Sequence, residues 1–275
     1  MLSLLRSFSS LILFFALFIS VARTTSVFQT TLVFATNPTD ADQAISILKG
    51  YGAPYELYLV PETGFKLPTL ETKTLCNEPA GLYGLIVVLS RVMYDHGGDD
   101  GWISAFTHGQ WHKLYSYQQK YGVRMVQLNT PPALVEGVEG VEPGGCCESE
   151  EQFVKLVDTS FIPSAGLRRR RLSTRNLWHY PARIVDPNRH HTKQFLTFSR
   201  NSQYLERTVA GVIKDYGHNR EEMNFFISGG SWSETTMYLG HVWFTWGFRG
   251  LYGGFRRVYF STQGTQILFS LNNSR

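Results

Sequence analysis

Residues 85–90 read LIVVLS, and the unbroken apolar run from Leu85 to Leu89 is the feature that most constrains the fold. A strand with one wet face alternates apolar and polar residues, whereas a strand apolar at every position needs cover on both faces. The flanking sequence supplies material for that cover. TTLVFAT (30–36) is an apolar, β-rich run, and NPTDADQAISILKGYG follows it. There Thr39 or Asp40 can cap a helix whose apolar positions Ala44, Ile45, Ile47 and Leu48 lead to Gly50 as a stop. YELYLVP (55–61) reads as the next strand. HGQWHKLYSYQQKYG (108–122) reads as an amphipathic helix with Trp111, Leu114, Tyr115 and Gln118 on one face, and VRMVQLN (123–129) as a strand. The order strand, helix, strand, strand, helix, strand predicts an α/β fold, layered, with a mostly parallel central sheet flanked by helices.

After the loop-rich stretch PPALVEGVEGVEPGGCCESE the pattern is less regular. EQFVKLVDTS and YLERTVAGVIKDYG are helix candidates, while LWHYPARIV, HTKQFLTFSR, MNFFISGG and FRRVYFST are strand candidates. TMYLGHVWFTWGFRGLYG reads as a long aromatic helix. Its Trp243, Phe244, Trp246 and Phe248 cover more than one face, which suits core rather than a ligand platform. The second half is therefore expected to be irregular and β-containing.

The chain has 275 residues, of which 43% are hydrophobic and 17% charged, enough to bury a sizeable core. Residues 1–22 stand apart: one Arg precedes the apolar block SLILFFALFISVA, and Ser20 and Ala22 are the small residues that a signal peptidase needs. We expect cleavage after Ala22, secretion, and an extracellular or cell-wall location. The apolar run is too short to span a bilayer, which takes about 20 residues. An oxidising compartment makes Cys76, Cys146 and Cys147 disulfide candidates, with Cys76 bonded to one member of the pair or the neighbours bonded to each other. The net charge of +4 falls to +3 without Arg6, too small to imply nucleic acid. The one dense basic cluster, Arg168 to Arg171, has the look of a solvated loop. Asn272 lies in a glycosylation sequon.

Open α/β sheets bind ligands beyond the carboxyl ends of their strands. That rule selects Thr36 and Asn37, then Ser90, Tyr94 and Asp95, then Asn129, and finally Ser231 and Trp232. Amide, hydroxyl, carboxylate and aromatic groups together suit a sugar, which offers ring hydroxyls and a flat apolar face. Tyr94 and Trp232 are the stacking candidates, with Asn37, Asp95 and Asn129 as hydrogen-bonding partners. The competing expectation is that each caps a helix or satisfies a loop backbone.

Other constellations carry less. Asp95, His96, Asp99 and Asp100 could approach a cation, but one segment supplies too few fixed ligands, and no metal or cofactor is expected. His179, Asp186, His190 and His191 lack metalloprotease spacing. No GxSxG elbow is present, and an oxidising compartment argues against Cys146 as a nucleophile.

Several stretches in order, GYGAPYELYLVPETG, GLYGLIVVLSRVMYD, YGVRMVQLN, GGCCES, LWHYPA and RGLYGGFRRVYFSTQ, resemble the N-terminal part of the fungal galactosaminogalactan deacetylase family, also called extracellular serine-rich proteins. The similarity runs from about Thr30 to Gln263. It implies a carbohydrate-binding module over 23–263 that precedes a metal-dependent deacetylase domain. In the family, the segment matching FSTQ leads into an aspartate pair that serves metal binding and general-base chemistry. Here Gln263 is followed by Gly264, Thr265 and Gln266, so 264–275 reads as a divergent tail. The resemblance thus implies a non-catalytic chain, truncated before the deacetylase domain, whose partner is an amino-sugar-containing polysaccharide. A hydrolase working through Cys146 or the Asp95 cluster, or a fragment without function, are the alternatives.

Overall fold

The computed structural model describes residues 26–98, 101–141, 150–162, 167, 170–185, 191–248, 259–262 and 265–268, the last two segments as backbone only. The expected leader (1–22), Cys146, Cys147, Asp99, Asp100, Arg168, Arg169, Asp186, His190 and Asn272 lie outside these residues.

Nine strands form the spine of a twelve-stranded mixed sheet. In chain order they are β1 (Ser26–Ala35), β2 (Tyr55–Leu59), β4 (Pro79–Leu89), β7 (Arg124–Leu128), β9 (Phe153–Leu156), β10 (Arg171–Ser173), β12 (Thr192–Phe198), β13 (Thr208–Gly217) and β14 (Arg220–Phe225). Their order across the sheet is β10-β9-β12-β13-β14-β7-β4-β1-β2. Three short strands attach to it: β3 (Glu71–Lys73) beside β4, β11 (Ala182–Ile184) beside β13, and β8 (Val138–Gly140) beside β11. The pairings from β2 through β1, β4 and β7 to β14 are parallel, and those from β14 to β10 are antiparallel. Two further ribbons stand outside the main sheet, β5 (Met93–Asp95) with β6 (Trp102–Ser104) and β15 (Tyr259–Thr262) with β16 (Thr265–Leu268).

The expected parallel sheet therefore occupies only one half. Strands dominate, and the three helices among the described residues are α1 (Pro38–Gly50), α2 (His108–Tyr121) and α3 (Glu234–Gly247). Both helix candidates of the second half are strands. Phe153 to Leu156 alternate exposed and buried, the period of a half-covered strand. Thr208 to Lys214 are buried throughout, and their β-branched residues fit a central strand better than a helix. Gly211 belongs there because a Cβ would sit 2.9 Å from the Phe195 ring, which lies against the strand.

The parallel half explains the LIVVLS run. Leu85, Val87 and Leu89 join the cluster formed with α1 and α3, including Ile47, Leu48, Val242 and Trp243. Ile86 and Val88 point the other way, into the cluster formed with Leu114, Tyr117 and Tyr121 of α2. Each strand residue is thus buried on its own side, as the continuous hydrophobicity required. Trp243 and Trp246 are core residues. Tyr117 also ties α2 to β4, since its hydroxyl donates to Tyr83 O (2.7 Å) and accepts from Tyr83 N (2.8 Å).

Helix α1 begins earlier than Thr39. Asn37 is the N-cap, its Oδ1 accepting from Asp40 N at 2.9 Å, and Pro38 occupies the first turn, where its missing N–H costs nothing. Helix α2 has a capping box between Thr107 and Gln110 and ends at Gly122 in the left-handed region (φ 64°). Cys76 is an exposed free thiol in the turn between β3 and β4, so its expected bridge is not formed in this structure.

Candidate functional site

The carboxyl ends of β1, β4, β7 and β14 lie along one edge of the parallel half, and the loops there carry the left-handed residues Ser90, Arg91, Val92 and Asn129 and the exposed Trp232. Two helix N-termini meet at this edge. Asn37 caps α1, and Ser233 caps α3 by accepting from Thr236 N. The two are joined where Ser231 N donates to Asp42 Oδ2 at 3.2 Å.

Trp232 stands at that junction, 64% exposed. Its indole lies on the backbone of Gly230, where a Cβ would come within 2.4 Å of the indole nitrogen. The missing side chain gives the ring a rigid seat. A second exposed indole lies on a neighbouring segment. His179 pairs with Ile227 in an antiparallel bridge, and Ser228 N donates to Trp178 O at 2.7 Å, so the Trp178 segment runs beside the chain that leads to Trp232. Leu177 and His179 are buried and Trp178 is 55% exposed. Tyr180, two residues on, is half-buried. Burial pushes its phenol up, and the Asp40 carboxylate adds to the effect. A cavity of about 20 Å³, room for one water, opens beneath this shelf between Gln43, Ser228, Gly229, Thr236 and Trp243.

On the other side of Asn37, Tyr94 donates to Val60 O at 2.8 Å. It also approaches Thr36 O at 3.5 Å, which ties the β5–β6 ribbon to the ends of β1 and β2. Trp102 of the same ribbon is 61% exposed and pairs with Asp95 across it.

The residues selected from sequence divide on this map. Asn37, Tyr94 and Trp232 share the edge, linked through Thr36, Asp40 and the Asp42–Ser231 bond. Asn37 is engaged as a cap, and its Nδ2 donates to Thr36 Oγ1 and Asp40 Oδ2. Asp95 is exposed and accepts from Gly97 N at 2.9 Å, a turn-forming role. Asn129 follows β7 in the left-handed region (φ 52°), and its Nδ2 donates to Ser90 Oγ at 2.9 Å. Trp178, Tyr180, Asp40 and Asp42 were not selected from sequence. Trp178 offered one signal, a large aromatic between buried neighbours in NLWHY. The acidic residues offered none, since they read as helix-start residues.

The acidic loop forms no metal site among the described residues. His179 is buried, with Nδ1 against Leu177 O (3.0 Å) and Nε2 against Gln152 Oε1 (2.9 Å), a structural position. Of the basic cluster, Arg170 pairs with Glu234 at 3.1 Å and Arg171 lies over the Phe153 ring.

The family model of the Agd3 carbohydrate-binding module, CBM87, matches residues 27–246. The chain belongs to this family. CBM87 spans the described fold from β1 to α3 and includes the whole edge just described, so a carbohydrate-binding role attaches to the part of the chain that carries the tryptophan shelf. Among solved structures, the crystal structure of Agd3, described as a novel carbohydrate deacetylase, matches with a TM-score of 0.75 and 39% identity. That match covers 90% of this chain and 38% of the Agd3 chain, so this chain spans well under half of that protein. A glutamine amidotransferase from Thermotoga maritima matches at 15% identity with a TM-score of 0.43, over 72% of this chain and 75% of its own, too distant to support an argument. No curated protein matches the chain.

Proposed function

We propose that this chain is a secreted, non-catalytic module that binds amino-sugar-containing polysaccharide of the galactosaminogalactan type along the carboxyl edge of its parallel strands. One observation carries the reading: within the CBM87 span, the exposed indole of Trp232 follows Ser231, whose N–H donates to the Asp42 carboxylate at the start of α1, and the exposed Trp178 lies on the segment that bridges to Ile227 of the same loop. Sugar rings stack on indoles through their apolar faces, and an amino sugar adds a cation that favours both indole and carboxylate. Asn37, Tyr94, Asp95 and Asn129 remain part of the proposal as hydrogen-bonding groups along the same edge.

The binding contribution of a surface carboxylate paired with a cation is small, about 0–1 kcal/mol, and is screened by salt. Stacking therefore sets affinity, and charge sets the preference among sugars. Pull-down of the purified chain on deacetylated and fully acetylated galactosaminogalactan, with chitin and cellulose alongside, tests this. Retention on the deacetylated polymer that weakens with added salt supports the reading. Equal retention on all four polymers, or none, rejects it.

A further inference from the structure

A second group of polar residues lies on the α2 side of the sheet, where β14 replaces apolar residues with Glu222 and Asn224. Glu222 is saturated: Arg220 Nε and Nη2 donate to its Oε1 at 2.9 and 2.8 Å, and Gln127 Nε2 donates to its Oε2 at 2.9 Å. The Arg220 guanidinium is held between the rings of Tyr115 (3.4 Å) and Tyr216 (3.9 Å). Beside it, Glu136 is 1% exposed and bonded to Arg91. Its second oxygen, together with Arg91 Nε, Gln127 Oε1 and both polar atoms of Asn224, is buried without a partner among the described residues.

Arg91 reaches Glu136 from an unusual stretch of backbone. Ser90, Arg91 and Val92 all lie in the left-handed region, with φ of 48°, 48° and 46°. Single non-glycine residues visit this region at a cost, and a β-branched valine there is a genuine outlier. What the turn delivers is the β5–β6 ribbon, which forms no ladder with the main sheet. Besides the Arg91–Glu136 pair, the turn and ribbon are held by Asn129 to Ser90 Oγ, Ser104 Oγ to Arg91 O (2.8 Å), Ala105 N to Val92 O (2.9 Å) and the Tyr94 hydroxyl.

We propose that Arg91 and Glu136 form a pH-responsive clasp that fastens the β5–β6 ribbon, and with it Tyr94 and Trp102, to the sheet, closed when Glu136 is ionised and open when it is protonated. An ionised carboxylate buried this deeply leans on the guanidinium, the cation bonded to it, with a backbone hydrogen bond at Ala133 as its other support, whereas a neutral carboxyl does not need the charge. Once the pair is broken, the left-handed turn favours relaxation. The groups facing Glu136 are Arg91 from the turn, Glu222 and Arg220 from β14, Tyr115 from α2 and Tyr216 from β13. Burial pushes the Glu136 carboxyl up to about 7; Arg91 opposes this and Glu222 reinforces it, so the clasp works near neutrality.

Hydrogen exchange of the full chain, read on peptides covering 91–106 and corrected for intrinsic rates, tests the clasp. One pH unit below the midpoint about a tenth of the carboxylates remain ionised, so protection of this segment falls by up to tenfold between about pH 8 and pH 6. Peptides from 85–89 serve as the reference and stay constant. Glu136→Gln gives the low-pH protection at both pH values. Arg91→Gly, which removes the guanidinium and the strained φ together, makes protection independent of pH and covers the case in which Glu136→Gln fails to fold. Protection of 91–106 unchanged between the two pH values in the parent chain, or a parental pH response in either variant, overturns the proposal.

Discussion

Replacing Gly240 with alanine probes how the edge is assembled. Gly240 sits in α3 against Ile47 of α1, and a Cβ there would come within 2.3 Å of Ile47 Cδ1, 2.5 Å of Cγ1 and 3.3 Å of Cγ2. Ordinary contacts begin at 3.4 Å, so about 1 Å of overlap must be relieved. Ile47 is β-branched and helical, so its χ1 is largely fixed and rotation is not a cheap escape. The helices must separate, and overpacking of this kind costs about 1–3 kcal/mol. Alanine returns about 1 kcal/mol through helix propensity. The net expectation is a loss of roughly 0–2 kcal/mol, read as a lower urea midpoint at unchanged slope. The same two helices carry Asp40, Asp42 and Trp232 at their N-termini, so polysaccharide retention should fall as well. A double-mutant cycle with Ile47→Ala isolates the clash, and a favourable coupling of about 1–2 kcal/mol is expected. A Gly240→Ala protein about 1 kcal/mol more stable than its parent, with zero coupling, would refute the close-contact argument.

Three further outcomes follow from individual contacts. Tyr117→Phe leaves the Tyr83 N–H and carbonyl in the core without their partner, and should cost about 1–3 kcal/mol in a denaturant titration. Asn37→Ala removes the cap of α1 and should cost about 0.5–2 kcal/mol, with Asn37→Asp restoring most of it. Glu136 carries a carboxyl raised from 4.5 to about 7, so the folded chain holds a proton that the unfolded chain releases. Its contribution is complete below about pH 4.5 and is lost as pH rises through 7, on the order of 3 kcal/mol. Glu136→Gln should flatten that part of the stability–pH curve, and a slope identical to the parent's would contradict the assignment.

The parallel half was readable from sequence because burial on both faces leaves an unmistakable mark: Leu85 to Leu89 had to be covered, and α1 and α2 had the amphipathic spacing to do it. The antiparallel half was harder. Thr208 to Lys214 is apolar without alternation, and such runs do not separate helix from strand; what decides the matter is pairing with β12 and β14, a long-range property. The start of α1 was misplaced because Pro38 interrupts the pattern while sitting comfortably inside the first turn. Among site residues, the rule about carboxyl ends of strands selected Asn37, Tyr94 and Trp232, which the fold gathers along one edge. It did not reveal Trp178, which arrives from a segment fifty residues away in sequence through the His179–Ile227 bridge. The Arg91–Glu136 pair was equally hidden, since nothing in SRV announces a left-handed turn without glycine.

The central claim is that the Trp178 and Trp232 shelf binds amino-sugar-containing polysaccharide. Its most direct test is a calorimetric titration of the full chain with partly deacetylated galactosamine oligosaccharides, repeated with Trp178→Ala and Trp232→Ala. Both residues are exposed, so both variants should keep the parental unfolding midpoint. The parent should bind measurably, and each variant should lose about five- to twelvefold in affinity, the size expected when a stacking contact of about 1–1.5 kcal/mol is removed. Parental affinity in both folded variants would contradict it and move the carbohydrate site elsewhere on the module.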